Sequence, residues 1–484
     1  MVSDRPEQET RYPSDSFDPR TATEAAIMAR AAKLVDHPIK ASLSRLTKVS
    51  ETKRGDKGGF GQLVERYFNI SQNSESAPDF TSAAIELKSV PLVRRSRADG
   101  FRAKERTTVS MIDFHALVDE RWETASVRPK LARILFVFFE HLPGRAVEEF
   151  PVLAVELWRP DAALCLDIRK DWEVVHRKVG AGLAHEISEG DGHILGAATK
   201  GPNAAKVVSQ PRSPIPARSR AWALKASVTS ALYDRIAGAG HRHGTLSLRD
   251  QLGLSLESDF ESEVLTRLHR FAGRSLADIA ESTGADLSSA KGAAHQIVRR
   301  ALGVVDDKAR LKEFDDRGIV IKTVPLSPEG KAYEAMSFPY FRYAEYADEE
   351  WEDSEFLSYI QRLLVVPVIR AERKTALADR VLGRAFFWSP ARADLQTIEA
   401  EWTCIRNLIR VGKADRLPSY KETEFIHARP HGRDSDDTDV DPLLGPLPKY
   451  SLWLNPTYTA RIVSENGGLS GIGILEKARR HPKR

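Results

Sequence analysis

The sequence has few cysteines and no long hydrophobic run. Two cysteines, Cys165 and Cys404, occur in 484 residues, too few for a disulfide framework or a zinc-finger site. The apolar run that contains Leu135 to Phe139 is far shorter than the ~20 residues of a membrane helix. The opening residues lack the apolar stretch of a signal peptide. We therefore expect a cytoplasmic protein without a membrane span, with both cysteines in the core.

The charge balance excludes little. Lys and Arg number 72 against 68 Asp and Glu, a formal net charge of +4, and a basic groove can be balanced by acid elsewhere on the surface. With 42% hydrophobic and 29% charged residues, the composition is that of a globular protein, and the length allows two to four domains.

The chain repeats itself. IELKSVPL at Ile85 to Leu92 is answered by IVIKTVPL at Ile319 to Leu326, LWRP at Leu157 to Pro160 by FWSP at Phe387 to Pro390, and WALK at Trp222 to Lys225 by LWLN at Leu452 to Asn455. Such an ordered series of pairs at a nearly constant offset indicates two copies of one domain rather than a solenoid.

The repeat predicts four segments: a flexible tail over 1–21, a first copy over 22–237, a linker over 238–256 and a second copy over 257–484. The linker begins with the glycine-rich stretch Gly238 to Gly244. Within each copy, helical patterns such as DIRKDWEVVHRKVGAGL alternate with strand-like runs such as AAIELK and ARILFVFF. This order predicts mixed α/β (α+β) modules.

A short motif of acidic and basic residues in the first copy provides the candidate site residues. Because a β-strand sends successive side chains to opposite faces, Glu86 and Lys88 are expected side by side on an open face. Asp79, after Pro78, can fold back by a turn to meet them. Glu65, on the amphipathic pattern GQLVERYF, can reach the same point.

Carboxylates that converge on one spot repel one another unless a cation neutralises them. An all-oxygen ligand set favours Mg²⁺, which also binds phosphate oxygens. The neighbouring lysine can orient the attacking water, so the pattern indicates metal-assisted hydrolysis of a phosphodiester. A bare Glu-x-Lys also occurs by chance, and the alternative is a charged, solvent-exposed edge strand.

The longer context resembles the MutH and GATC-cutting restriction endonuclease family. The resemblance lies in Lys57-Gly58, Gly61 and Glu65, in Asp79-Phe80 with Glu86 to Lys88, and in the segment Trp122 to Phe136. It implies two tandem restriction-endonuclease-like PD-(D/E)xK domains, each a mixed sheet flanked by helices. It also implies that Asp79 and Glu86 bind Mg²⁺, that Glu65 completes the site, that Lys88 positions water and that Lys130 assists at the phosphate.

The second copy has lost this set. The offset replaces Glu65 by Arg299, Asp79 by Glu313, Glu86 by Val320 and Lys130 by Tyr359, and keeps Lys88 as Lys322. One carboxylate with two cations is not expected to hold Mg²⁺, so we expect a silent copy. Arg299 and Lys322 suit a surface that binds phosphate without hydrolysing it. The alternative is a decayed domain retained as a scaffold.

The family's DNA-contacting hairpin, by resemblance, has an Arg-Pro-Lys-like tip. The second copy has Ala428 to His431 there, and the first copy has Ala197 to Lys200. Lys200 and Arg429 are therefore the candidates for base contacts, since Lys and Arg suit guanine O6 and N7. Arg220, Lys225 and Lys449 are the candidates for phosphate contacts.

The tandem build resembles type II restriction enzymes that must occupy a second GATC site to be activated. This implies double-stranded DNA with two recognition sites as the partner, a homodimer on DNA and a cognate methyltransferase. Two alternatives remain open. One is a repair-type nicking enzyme activated by mismatch proteins, and the other is a DNA-binding regulator without catalysis.

Three other features have simpler explanations. The acidic runs Asp348 to Glu355 and Asp434 to Asp441 lack EF-hand spacing, so we expect solvated loops. The alternatives are Ca²⁺ loops or an anion that occupies the DNA groove in a resting state. His241 and His243 lie in the linker without partner ligands nearby in the sequence, so we expect a flexible joint rather than a metal site.

Overall fold

The computed structural model describes residues 17–44, 59–71, 77–95, 100–200, 207–238, 244–287, 292–306, 308–434 and 436–470. Lys57, Gly58, His241 and His243 lie outside these residues. Among the helices described, none is both long and apolar enough to cross a membrane.

The first copy alternates helices and strands in the described residues. Its helices are α1 (Glu24–Ala32), α2 (Ile39–Ser44), α3 (Gly59–Tyr67), α4 (Phe114–Leu117), α5 (Arg128–Ala132), α6 (Ala162–Gly180) and α7 (Ala226–Ala237). Its strands are β1 (Glu86–Arg94), β2 (Phe101–Ala103), β3 (Thr107–Met111), β4 (Ile134–Glu140), β5 (Val152–Trp158), β6 (Leu195–Thr199), β7 (Val207–Gln210), β8 (Ser213–Arg218) and β9 (Arg220–Leu224).

The main sheet of the first copy has the order β2-β1-β4-β5. β1 and β4 are parallel, with Glu86 opposite Ile134 and Lys88 opposite Phe136, while the two outer pairings are antiparallel. The central strand β4 is buried on both faces, which explains its continuous apolar run. Leu135 belongs to the core beneath α1–α3, and its neighbour Phe136 belongs to the core on the other face.

A second, smaller layer is formed by the sheet β3-β9-β6 and the hairpin β7-β8. The buried Asp171 carboxylate, on α6, fixes the start of β6. It accepts hydrogen bonds from three consecutive backbone amides, of His193 at 3.1 Å, Ile194 at 2.7 Å and Leu195 at 2.9 Å. Burial raises the pKa of Asp171 to about 6, although these amides and Lys225 act in the opposite direction.

The second copy repeats this arrangement. Its helices are α8 (Leu248–Leu252), α9 (Phe260–His269), α10 (Leu276–Thr283), α11 (Ala293–Ala301), α12 (Lys312–Asp316), α13 (Tyr343–Asp348), α14 (Glu355–Ile360), α15 (Arg392–Arg410) and α16 (Pro456–Glu465). Its strands are β10 (Thr245–Leu246), β11 (Arg310–Leu311), β12 (Ile319–Leu326), β13 (Met336–Tyr340), β14 (Arg362–Ile369), β15 (Val381–Leu382), β16 (Phe386–Trp388), β17 (Ile426–Pro430), β18 (Thr438–Asp441), β19 (Gly445–Pro448) and β20 (Tyr450–Leu454).

The strand register confirms the predicted mixed α/β fold with two related copies. β12 and β14 are parallel, with Val320 opposite Leu363 and Lys322 opposite Val365. These are the positions that the sequence offset gives for the Glu86 and Lys88 pairs of the first copy. Glu401 of α15 repeats the role of Asp171, because it accepts from the backbone amides of 424–426 at the start of β17.

The ordered core extends beyond the predicted segment boundaries. Phe17, in the predicted tail, packs against the rings of Phe68 and Phe80. Within the predicted linker, β10 and α8 are formed, and Leu248 is fully buried in the core of the second copy. In both cases apolar contacts with the core, rather than the local composition, explain why the segment is ordered.

Two expectations about individual residues and segments were wrong. Cys165 and Cys404 are both exposed and free instead of lying in the core. The acidic run Asp348 to Glu355 is not a solvated loop, since it contains residues buried against the first copy, and Asp441 of the second run is buried and accepts from two backbone amides. Alternating charge and apolar residues in a sequence do not reveal which side faces a neighbouring domain.

The two copies are joined by ion pairs between α7 and the segment around α12. Arg235 contacts Asp316 at 2.6 Å, and Asp316 is buried. Asp234 of the first copy pairs both with Arg95 of the same copy and with Arg310 of the second, each at 2.6 Å. Ion pairs therefore connect the two copies at this place.

We predict that Asp171→Ala lowers the free energy of unfolding by roughly 2–4 kcal/mol, because three amides at the start of β6 lose their acceptor. Chemical denaturation followed by circular dichroism measures this loss. Glu173→Ala, an exposed change on the same helix, serves as the control. Equal stabilities for the two variants would contradict the prediction.

Candidate active site

A tight turn brings Asp79 to the first strand of the main sheet. The backbone amides and carbonyls of Phe80 and Ile85 bond to each other, at 2.9 and 3.2 Å, around a turn in which Ala84 has a φ of 51°. The Asp79 carboxylate consequently accepts from the backbone amide of Leu87 at 2.8 Å. The fold-back expected from the sequence is present.

Glu86 lies deeper than expected. Its side chain is 2% exposed, and the face of β1 that carries it is not open, because Val90 and Leu92 on the same face belong to the core beneath the smaller sheet. Two lysines compensate the buried charge. Lys88 Nζ lies 2.6 Å from Glu86 Oε1, and Lys130 Nζ lies 3.3 Å from Glu86 Oε2.

Glu65 is electrostatically coupled to this group. Burial raises the pKa of Glu65 above its ordinary value, the nearby Asp79 and Glu86 carboxylates raise it further, and Lys88 opposes them. Helix α3 therefore places Glu65 close enough to Asp79, Glu86 and Lys88 for their charges to act on it.

The donor chemistry of this group fits a hard divalent cation. Three carboxylates are available, and Glu86 Oε2 is buried without a hydrogen-bond donor in the structure, its neighbour being the Lys130 ammonium. In the part of the chain that the structure describes, His, Cys, Asp and Glu side chains do not gather in threes as a ready-made metal site. In the structure, the ammonium groups of Lys88 and Lys130 neutralise the Glu86 charge. Carboxylates that lie close together repel one another and need such a compensating positive charge.

The second copy lacks this arrangement, and its replacements have structural roles. Glu313 accepts from the Ser247 hydroxyl and the Leu248 amide at the start of α8. Arg299 is buried and donates to the backbone carbonyl of Ala309 at 2.5 Å. The expectation that Arg299 forms a phosphate-binding surface was therefore wrong, since α11 turns this side chain inward.

Lys322 also engages its own copy. Its ammonium donates to the backbone carbonyl of Ser337 at 2.5 Å and lies 4.1 Å from the centre of the Phe338 ring. This position differs from that of its counterpart Lys88, whose partner is the Glu86 carboxylate.

Two predicted phosphate contacts are buried. Arg220 is 7% exposed and donates to the backbone carbonyls of Ala197 and Ile187, and Lys225 is 2% exposed. Arg220 thus binds the backbone of the smaller sheet, and neither side chain lies on the surface, contrary to the expectation of phosphate contacts. Strand β9 is buried along its whole length, which its mixture of apolar and basic residues does not reveal.

The remaining candidates lie at the ends of the hairpin strands. Lys200 follows β6, and its amide donates to the Ser219 carbonyl at 2.9 Å. Arg429 is exposed and stacks over the Trp453 ring, 5.2 Å from its centre. Lys449 pairs with Asp437 at 2.5 Å and lies over the Tyr340 ring.

Arg102 and Arg106, which contact carboxylates of the second copy, were not predicted from the sequence. The sequence feature that could have revealed them is the alternation of basic residues in FRAKERTT. In an extended segment this alternation places residues 102, 104 and 106 on one side.

Fold and site thus define a tandem mixed α/β protein in which, among the described residues, the first copy and not the second has a buried glutamate carboxylate paired with two lysines. Comparison with known proteins agrees. The family described as DNA mismatch repair enzyme MutH matches residues 68–171 and again residues 302–401.

Individual relatives fall into two kinds. The type II restriction enzyme Sau3AI of Staphylococcus aureus is 28% identical over 316 residues, which is 63% of this chain and 63% of that enzyme. The DNA mismatch repair protein MutH of Haemophilus ducreyi is 30% identical over 185 residues, 37% of this chain and 81% of the relative. MutH of Shewanella baltica is also 30% identical, over 177 residues and 78% of its length. The chain belongs to the MutH family.

The coupling between Glu86 and Lys130 is testable by a double-mutant cycle. We predict that Glu86→Val alone is strongly destabilising, because it leaves two partly buried ammonium groups unpaired. Adding Lys130→Tyr, which reproduces the second copy, should recover about 1–3 kcal/mol relative to additivity. Urea unfolding measures each variant.

The pair Arg94 and Glu140 provides the control cycle, since Arg94 is 61% exposed and the coupling energy of an exposed pair is below about 1 kcal/mol. Additive effects of the Glu86 and Lys130 substitutions would show that the buried pair is not coupled.

Proposed function

We propose that this protein is a Mg²⁺-dependent type II restriction endonuclease that hydrolyses phosphodiester bonds of double-stranded DNA, with the first copy as the catalytic domain. The observation that carries the proposal is the buried Glu86 carboxylate held between Lys88 and Lys130, next to Asp79 and Glu65.

The roles follow from the chemistry of each group. Asp79 and Glu86 supply oxygen ligands for Mg²⁺, and Glu65 completes the set. When bound, the metal supplies Lewis acidity to the phosphodiester. Lys88 orients the attacking water, and Lys130 offsets the negative charge that grows on the phosphate in the transition state.

Domain duplication favours restriction over repair. The MutH relatives match one copy's length of this chain, whereas the match to the restriction enzyme Sau3AI extends over 316 residues, more than one copy. We propose GATC as the recognition sequence from the family resemblance of the motifs. A restriction role also implies a cytoplasmic location and a cognate methyltransferase.

The second copy is proposed to bind a second DNA site as an effector. Val320 replaces the metal ligand Glu86 and Tyr359 replaces Lys130, while Arg429 remains exposed at the end of β17 above an aromatic ring. An arginine in this setting suits a base contact. Because each chain has one catalytic site, a double-strand break requires two chains or two visits, and we propose dimers on DNA.

A repair-type nicking enzyme is the second candidate, supported by the names of the MutH relatives. Both candidates share the catalytic first copy, and they differ in whether one or both strands are cut. The intact acidic and basic group argues against a regulator without catalysis.

We predict that the wild-type chain with Mg²⁺ makes double-strand cuts in unmethylated plasmid at GATC. Glu86→Gln should reduce the rate at least about a hundredfold, because it removes a metal ligand. Glu140→Gln, on the neighbouring strand, is the control. Sequencing the ends, with adenine-methylated plasmid in parallel, identifies the site. Nicks alone would support the repair-type function, and binding without cutting would refute catalysis.

We predict that Arg429→Ala slows cleavage of two-site plasmid about tenfold, since one lost bidentate base contact costs roughly 1–3 kcal/mol of binding. Cleavage of one-site plasmid should stay at its wild-type rate. Arg416→Ala, an exposed arginine of the same copy, controls for loss of charge. Equal slowing on both plasmids would place Arg429 outside a second-site function.

A further inference from the structure

The former catalytic position of the second copy lies at the interface with the first. In the strand register, Val320 takes the place of Glu86, and the sequence offset puts Tyr359 at the place of Lys130. Both residues line a cavity of about 220 Å³ between the copies. We call this the vestigial cleft.

Arginines of the first copy form the opposite wall of the cavity. Arg102, which is buried, pairs with Glu349, and its Nε lies 3.7 Å from the Glu355 carboxylate. The Tyr359 hydroxyl donates to the same Glu355 carboxylate at 2.8 Å. The residue that replaced the active-site lysine therefore contacts a carboxylate that binds the first copy.

The acidic segment continues along the first copy. Arg106 contacts Glu352 at 2.9 Å and Asp353 at 3.1 Å. The Glu352 carboxylate also accepts from the Thr199 hydroxyl at 3.2 Å. Thr199 is the last residue of β6 and directly precedes Lys200, the candidate base contact of the first copy. We call Glu349, Glu352, Asp353 and Glu355 the acidic clamp.

A clamp of this kind is incompatible with DNA at the same place. Carboxylates repel phosphates, and arginine binds carboxylate and phosphate with the same bidentate geometry. DNA that reaches Lys200 must therefore separate Glu352 from Thr199 and Arg106, or meet its negative charge at short range.

We infer that the vestigial cleft has become a docking socket for the first copy, in which the acidic clamp holds Arg102 and Arg106 and covers the Lys200 edge until DNA displaces it. Docking is a property of the chain by itself. The part of the inference that concerns DNA rests on the proposed function.

The test uses the full chain with Glu352→Gln and Asp353→Asn, which keep side-chain size and remove two clamp charges. The partly exposed positions of these two carboxylates spare the buried Arg102 pair and hence the fold. The control, Glu372→Gln with Asp379→Asn, removes the same charge from exposed positions of the same copy. Small-angle X-ray scattering across a salt titration reports docking, and cleavage of one-site and two-site plasmid reports access.

We expect the clamp variant to expand at a lower salt concentration than the wild type and the control, because its interface ion pairs are fewer. We also expect it to cleave one-site plasmid on the order of tenfold faster than either. Expansion at the same salt concentration as the control would overturn the docking socket, and an unchanged one-site rate would overturn the covering of the Lys200 edge. If the wild type cuts no DNA, the proposed function fails, and the scattering result still decides docking.

Discussion

The burial of one carboxylate organises this molecule. Glu86 lies on a strand face that packs into the core, with its side chain 2% exposed, and an ionised carboxylate in such a place must be paired. Lys88 and Lys130 supply the pairing, and the turn at Phe80 to Ile85 brings Asp79 beside it. In the second copy Glu86 and Lys130 are both replaced, by Val320 and Tyr359, whereas Lys88 is retained as Lys322, whose ammonium donates to the Ser337 carbonyl instead.

That joint loss changed the use of the same position. Val320 and Tyr359 need no metal and no lysine, so the cleft of the second copy can face another protein surface. Arginines of the first copy and carboxylates of the second then meet across it. Burial at this interface raises the pKa of Glu349 to about 7, against the opposing effect of Arg102. The position that Glu86 and Lys130 occupy in the first copy thus lies at a domain contact in the second.

Both copies share one structural feature, a helix carboxylate that binds the backbone amides at the start of a strand. Asp171 and Glu401 each accept hydrogen bonds from three successive amides at the start of the strand that leads to the hairpin. The paired motifs Asp171-Trp172 and Glu401-Trp402 were visible in the sequence repeat. Their role was not, because the amides they bind lie more than 20 residues away along the chain. These hydrogen bonds were therefore retained although Glu65, Glu86 and Lys130 were replaced.

The sequence by itself determined the duplication, the mixed α/β fold, the helix and strand patterns around Glu65 and Glu86, and the replacement of both residues in the second copy. These features depend on periodicity and on the comparison of equivalent positions. Only the tertiary structure decided which charges are buried. Arg220, Lys225 and Arg299 read as surface cations but are buried against backbone carbonyls or strands, and the acidic run Asp348 to Glu355 reads as solvated but contacts Arg102 and Arg106. The reason is physical: burial of a charge depends on partners that are distant in sequence, and local patterns do not encode them.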